Sequence, residues 1–234
     1  MNEKEHFIKA CFGNWREYLD KIYRLKSEKG NYYLDVIFIA LCCFIDELSH
    51  FLVQQRQGAK KPFLDLLQNV SKDDCFSLVD LLFFYQWKSN GYLKTSSGGY
   101  YKKLKDNDAL SEEIKSILIG IYGGDTSVNS NNTRYKKITD ITEDLKNSGF
   151  TDKNKIEEFQ NYLKLFTVTD VLYHFGRCTA VHEGYTMLLS NTSNGYQENY
   201  FITIDLLKDT LGNILNRWEQ TCLRNNKMPF ECNL

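Results

Sequence analysis

Residues 168–184 read VTDVLYHFGRCTAVHEG, and this stretch is the starting point for predicting the fold. Its apolar residues recur at steps of three and four, which is the pattern of a buried helical face. They are Val168, Val171, Leu172, Phe175, Cys178 and Val181. Gly184 stands where a glycine commonly ends a helix. We therefore predict one apolar helix that ends near Gly184 and carries Arg177 and His182 close to its end.

Helical periodicity continues on both sides of this stretch. The other predicted helices span residues 3 to about 27, about 32–57, 63–70, 71 or 73 to 87, 111–122, 138–146, 155–166 and 205 to about 224. The chain has only 2 prolines, and proline is the strongest helix breaker. After Gly184, two short apolar runs at 185–189 and 200–204 flank an Asn-Gly turn, which predicts a small β-hairpin. The sequence therefore predicts an all-α bundle with one hairpin after the helix of residues 168–184, the motif helix.

Length and composition allow one large domain or two small ones. The chain has 234 residues, of which 42% are hydrophobic, a globular composition. Residues 89–137 are rich in glycine, serine and asparagine and form the one candidate boundary. Because the N-terminal helices supply apolar surface that the motif helix needs, we predict a single domain over 1–234 with a loop-rich insertion around 89–137.

Charge and cysteine usage exclude several classes of protein. The net charge is −1, so there is no chain-wide basic footprint for nucleic acid, although local patches remain possible. Seven cysteines without C-x2-C pairs predict buried reduced thiols and a cytoplasmic location. No Cys/His cluster has zinc-site spacing, and we predict neither metal nor cofactor. The N-terminus lacks a signal-peptide core and the apolar run 36–45 is too short to cross a bilayer, so we predict no membrane association.

A family resemblance rests on Arg177 and His182. Their spacing near the end of an apolar helix, followed by Gly184, resembles the R-x4-6-H signature of HEPN domains. These are small all-helical modules, and many are metal-independent endoribonucleases of toxin, abortive-infection and CRISPR systems. The family's motif often has a polar residue, commonly asparagine, directly after the arginine, where this chain has Cys178.

The resemblance implies a homodimer and assigns roles to the motif. Residues five apart on an α-helix point about 140° away from each other, and the family pairs two subunits so that both motifs line one cleft. His182 is the expected proton carrier. Arg177 is the expected phosphate clamp. Tyr173, Cys178 and Tyr185 are expected to line the cleft, although nothing in the sequence assigns them roles.

Three polar residues interrupt the second predicted helix. They are Asp46, Glu47 and His50. Asp46 and His50 are four apart and share a face. A carboxylate in an apolar core requires a partner, and Arg177 or His182 would supply one. The alternative is that all three residues lie on the solvent side of the helix.

Aromatic residues interleaved with basic ones are candidates for RNA contacts, because rings stack on bases while lysines hold phosphates. The candidates are Tyr101, Lys102, Lys103, Arg134, Lys136 and Lys137. The alternative is a solvated, lysine-rich surface.

Two functional hypotheses follow from the sequence. The first is a metal-independent endoribonuclease of bacterial or phage defence or toxin type, which acts on RNA as a homodimer and has a possible antitoxin or other protein partner. The implied reaction is attack of a 2′-hydroxyl on the adjacent phosphate, leaving a 2′,3′-cyclic phosphate. The second is a non-catalytic HEPN-like module that binds RNA, a nucleotide or a protein. Cys178 favours the second hypothesis, whereas the presence of both Arg177 and His182 favours the first.

Overall fold

The structure is a computed structural model that describes residues 2–29, 34–53, 58, 60–86, 108–124, 127, 133–178, 189–192, 195–198, 202–232 and 234. Within these ranges the chain is mostly helical, which confirms the predicted all-α class. No helix of the described ranges combines the length and the apolar character needed to cross a membrane.

Nine α-helices and four short strands make up most of the described chain. The helices are α1 (Glu3–Lys29), α2 (Leu34–Leu52), α3 (Lys60–Asp65), α4 (Leu81–Gln86), α5 (Asp108–Tyr122), α6 (Ile138–Asn147), α7 (Lys153–Leu163), α8 (Val168–Val171) and α9 (Ile204–Asn225). The strands are β1 (Val79–Asp80), β2 (Tyr135–Lys136), β3 (Leu189–Thr192) and β4 (Gly195–Glu198). Two π-helices (Leu66–Val70 and Leu172–Cys178) and three 3-10 turns (Asp74–Ser77, Lys164–Phe166 and Pro229–Glu231) complete these ranges.

The chain divides into two compact units. The terminal unit comprises Met1–Asp74 and Val171–Leu234, and the middle unit comprises Cys75–Asp170. The predicted insertion around 89–137 is described only at 108–124, 127 and 133–137. The single domain therefore stays a prediction.

Helices α1, α2 and α9 form the core of the terminal unit, and aromatic rings fill its centre. Trp15 of α1 stacks on Trp218 of α9 at 5.0 Å between ring centroids, and Phe12 meets both rings edge-on. Such pairs stabilise a core beyond their buried area. Thr203 caps α9, because its side chain accepts the backbone N–H of Leu206.

The middle unit packs around a second aromatic cluster. Phe84 contacts Phe159, Tyr162 and Phe166 with ring centroids 5.2–6.3 Å apart. β1 pairs with β2 in antiparallel register, Val79 opposite Lys136 and Asp80 opposite Tyr135. Asp152 caps α7 by accepting the N–H groups of Asn154 and Lys155.

One predicted helix is interrupted in the structure. The segment from 71 or 73 to 87 contains a 3-10 turn and β1 before α4 begins at Leu81. The reason is Asp80, whose carboxylate accepts the N–H of Phe83 at 3.1 Å. This contact starts α4 at Leu81 and leaves Val79 and Asp80 extended against β2.

The hairpin is present, but its strands lie closer to the turn than predicted. Leu189 pairs with Glu198, and Thr192 pairs with Gly195. Residues 193 and 194, between the strands, lie outside the described residues, as do 185–188 and 200–201 of the predicted runs. The run 200–204 is wrong at 202–204, which form no strand, because Thr203 caps α9 and the helix begins at Ile204.

The motif helix is not a uniform α-helix. α8 covers only Val168–Val171, and the motif π-helix, Leu172–Cys178, follows it. π-helical hydrogen bonds join residues five apart, so residues at that spacing lie about one turn from each other. Gly176, a weak helix former, lies within this segment. Residues 179–188, which include the rest of the predicted helix, lie outside the described residues.

Candidate functional site

The motif arginine is held by an aspartate of a neighbouring helix. Arg177 of the motif π-helix donates through Nε to Oδ2 of Asp46 on α2 at 2.7 Å, and its Nη2 forms an ion pair with the same oxygen at 2.6 Å. The side chains of the two residues are 16% and 17% exposed. The pairing expected from the cost of a carboxylate in an apolar helix is therefore present.

The carboxylate of Asp46 is only half used by this pair. Oδ1 is buried and has no hydrogen-bond partner among the described residues. Burial lowers the pKa of Arg177, but the hydrogen bond and the charge of Asp46 outweigh it, so the pKa is raised and the guanidinium stays charged. The site thus combines a fixed cation with a spare acceptor oxygen.

Tyr173 and Cys178 support the arginine from its own helix. The Tyr173 ring lies 5.5 Å from the Arg177 guanidinium carbon, a distance at which a cation and a ring attract. Cys178 lies beside both Tyr173 and Arg177 and contributes to the raised pKa of each. Tyr173 and Cys178 are five apart, so the π-helical turn explains how their side chains meet. Phe63 packs edge-on against Tyr173 at 5.3 Å and fixes the ring from α3.

Burial keeps the side chains of Tyr173 and His174 neutral. Burial, followed by the neighbouring Cys178, raises the pKa of Tyr173 to about 12. Burial, followed by the charge of Lys60, lowers the pKa of His174 to about 3. His174 is therefore a neutral packing residue at physiological pH, and Arg177 is the charged group of the motif π-helix.

The other two polar candidates of α2, Glu47 and His50, face solvent, as the alternative interpretation expects. His50 Nδ1 lies 2.6 Å from the backbone carbonyl oxygen of Asp46. Because a carbonyl oxygen only accepts, Nδ1 carries the proton and Nε2 is left for a second contact.

Several predicted site residues lie outside the described residues. They are His182, Tyr185, Tyr101, Lys102 and Lys103. Their roles stay predictions.

The described part of the basic-aromatic pattern lies in the middle unit. Arg134 forms a two-pronged ion pair with Asp80, with Nε to Oδ1 at 2.9 Å and Nη2 to Oδ2 at 2.8 Å. Lys136 lies 5.1 Å above the ring of Tyr122, and Lys137 is exposed at the start of α6. Arg134 therefore has a structural role in the middle unit, and RNA contact by these three residues stays a prediction.

Two residues of the site received no role from the sequence. Tyr173 precedes Arg177 by four residues, the spacing that brings a ring under a cation on a helix, and this was the available signal. His174 lies on a predicted helix whose candidate histidine was His182, so nothing in the sequence indicated separately that His174 is buried.

Comparison of the chain with protein-family models, curated proteins and solved structures finds no match. The geometry of the site therefore carries the functional argument.

Proposed function

We propose that this chain is a HEPN-like, metal-independent endoribonuclease of defence or toxin type, acting as a homodimer. The observation that carries the proposal is the Arg177–Asp46 pair, which fixes a permanent cation on a helix that leads toward His182. Arginine suits this task because its planar fork matches a phosphate and never loses its charge. Cys178, directly after the arginine, occupies the position of the family's polar residue and lies beside the guanidinium.

The chemistry needs one clamp and two proton transfers. Arg177 binds the non-bridging phosphate oxygens, and its charge stabilises the negative charge that grows as the 2′-oxygen attacks phosphorus. One imidazole takes the proton of the 2′-hydroxyl while another protonates the departing 5′-oxygen. In a homodimer these are His182 and His182 of the partner subunit. The P–O5′ bond breaks, leaving a 2′,3′-cyclic phosphate and a 5′-hydroxyl.

Asp46 has a second task in this proposal. Its Oδ2 holds Arg177, whereas its buried Oδ1 has no partner among the described residues. Oδ1 accepts an N–H of the His182 imidazole and thereby selects the tautomer whose other nitrogen faces the substrate. Asp46 is a positioning residue here, because it acts through Arg177 and His182.

A second candidate function is a non-catalytic HEPN-like module that binds RNA, a nucleotide or a protein partner. It is favoured by the low exposure of Arg177, whose side chain is only 16% exposed in its pair with Asp46. In this alternative the motif arginine packs the helix and does not clamp a phosphate.

The test is RNA cleavage in EDTA by the wild type and three variants. His182→Ala is expected to lower the rate by about 10²–10⁴, the usual contribution of a proton carrier. Arg177→Ala is expected to lower it by about 10²–10³. Arg24→Ala, at an exposed arginine of α1, is the matched control and should cleave as the wild type does. Products should end in a 2′,3′-cyclic phosphate and a 5′-hydroxyl.

Three results would refute the nuclease proposal. They are a wild type that is inert toward structured and unstructured RNA, a His182→Ala protein that cleaves normally, and products without a cyclic phosphate. Circular dichroism of each variant separates loss of activity from loss of fold. An inert wild type that binds RNA with an affinity sensitive to Arg177→Ala would instead support the binding module.

A further inference from the structure

Two buried thiols meet near the end of the terminal unit. Cys222 lies in the last turns of α9, and Cys232 directly follows the 3-10 turn Pro229–Glu231. Both are free and buried, at 0% and 3% exposure. Cys232 lies against the face of α9 that carries Cys222, because it contacts Trp218 and Asn225, which stand four residues before and three residues after Cys222 on that helix.

The surrounding contacts hold Cys232 against α9. Trp218 Nε1 donates to the carbonyl oxygen of Cys232 at 2.7 Å. The amide nitrogen of Asn225 lies 4.0 Å from the Cys232 sulfur. Lys227 N donates to the carbonyl oxygen of Cys222 at 3.0 Å, which turns the chain back after the helix. The proximity of the thiols is thus built by several contacts between α9 and the segment that follows it.

We propose that Cys222 and Cys232 are a modification site that forms an intramolecular disulfide by exchange with a small-molecule disulfide such as oxidised glutathione. The Cys232 thiolate attacks one sulfur of the oxidant, forms a mixed disulfide and releases one glutathione thiolate. The Cys222 thiolate then attacks the Cys232 sulfur and releases the second glutathione. The protein loses two protons and two electrons, and each glutathione leaves as a thiol, so atoms and electrons balance.

The order of the two attacks follows from the surroundings of each thiol. Burial, followed by the neighbouring Cys232, raises the pKa of Cys222 to about 12. Few Cys222 thiolates are therefore available for the first step. Cys232 adjoins a three-residue turn in which Phe230 and Glu231 are exposed, and short exposed turns open locally more easily than long helices. Once Cys232 carries the mixed disulfide with glutathione, Cys222 attacks the Cys232 sulfur and completes the protein disulfide.

Tryptic peptide mapping tests the proposal on the native, folded chain. The protein is equilibrated in glutathione buffers of increasing oxidised fraction, acid-quenched, alkylated and digested. Cleavage after Arg217, Arg224 and Lys227 gives the peptide 218–224, which contains Cys222, and a peptide that begins at Met228 and contains Cys232. The expected result is a disulfide-linked pair of these peptides that grows with the oxidised fraction and disappears with dithiothreitol.

Matched variants and a stability measurement complete the test. Cys43→Ser, at an exposed cysteine of α2, should keep the linked pair, whereas Cys232→Ser should abolish it. Oxidation should raise the thermal midpoint of the wild type and leave that of Cys232→Ser unchanged, because the bond constrains the unfolded chain. Peptides that stay alkylated throughout, carry glutathione alone or link mainly to Cys43 would overturn the proposal. Circular dichroism during oxidation confirms that the fold persists. RNA cleavage plays no part in the readout.

Discussion

Each unit contains an arginine–aspartate pair, and the two pairs differ in how fully the carboxylate is used. In the middle unit, Asp80 is 0% exposed and both of its oxygens accept hydrogen bonds, from Arg134 and from the N–H of Phe83. In the terminal unit, Asp46 contacts Arg177 through Oδ2 alone, and Oδ1 has no partner among the described residues.

The difference separates a structural pair from a candidate functional one. Buried polar groups are almost always satisfied, so an unsatisfied carboxylate oxygen calls for an explanation. Both oxygens of the Asp80 carboxylate accept hydrogen bonds from within the middle unit. Asp80 thereby joins the start of α4, at Phe83, to Arg134, the residue before β2. Asp46 has an unused acceptor oxygen, Oδ1, beside the fixed charge of Arg177. This arrangement suits the binding of a catalytic side chain or a ligand.

The largest expected effect on stability comes from breaking the Asp80–Arg134 pair. Asp80→Ala leaves a largely buried guanidinium without its carboxylate and should destabilise the middle unit by about 3–5 kcal/mol. Asp46→Ala, at a partly exposed carboxylate with one oxygen in use, should cost the terminal unit about 1–2 kcal/mol. Hydrogen exchange of peptides from each unit measures the two losses separately. Equal losses in the two variants would remove the distinction between the pairs.

The sequence predicts the helices well where one face is apolar and a cap is local. α9 is the clearest example, since its apolar period and Thr203 cap lie within one segment. The Asp46–Arg177 pair could also be predicted from the sequence, because a carboxylate in a nearly apolar helix requires a partner. The element that holds Arg177 was not predicted, since π-helical and α-helical turns have nearly the same apolar pattern over seven residues.

Long-range contacts account for the other differences. Asp80 interrupts a predicted helix because it meets Arg134, a residue 54 positions later in the chain. Nothing in the local pattern of either segment indicates that contact. For the same reason, the sequence identified Arg134 as a candidate RNA contact, while its described partners are those of a structural residue.

A smaller effect is expected from acid, and it should be confined to one unit. All four histidines lie in the sequence of the terminal unit, at positions 6, 50, 174 and 182. Burial lowers the pKa of His174 to about 3 from an ordinary value of 6.5. Between these values the unfolded chain binds a proton that the folded unit does not, so stability falls as the pH drops below 6.5. The loss should reach about 2 kcal/mol between pH 7 and pH 5.

Hydrogen exchange at both pH values, corrected for intrinsic rates, measures this loss in each unit. His174→Leu should flatten the pH dependence of the terminal unit, and His6→Leu, at an exposed histidine of α1, is the matched substitution. An equal loss of stability in the middle unit would show that the effect does not come from His174.

The smallest effect concerns the support beneath Arg177. Tyr173→Phe keeps the ring under the guanidinium but removes the phenol hydroxyl beside Cys178, and should cost about 0.5–1.5 kcal/mol of unfolding free energy. Tyr173→Leu also removes the cation–ring contact and should cost about 0.5–1 kcal/mol more on that account, apart from the change in packing. Urea unfolding of both variants, each repeated in an Arg177→Ala background, isolates the ring contribution as a coupling energy. If Tyr173→Leu couples to Arg177→Ala no more than Tyr173→Phe does, the ring does not hold the arginine, and Asp46 positions it alone.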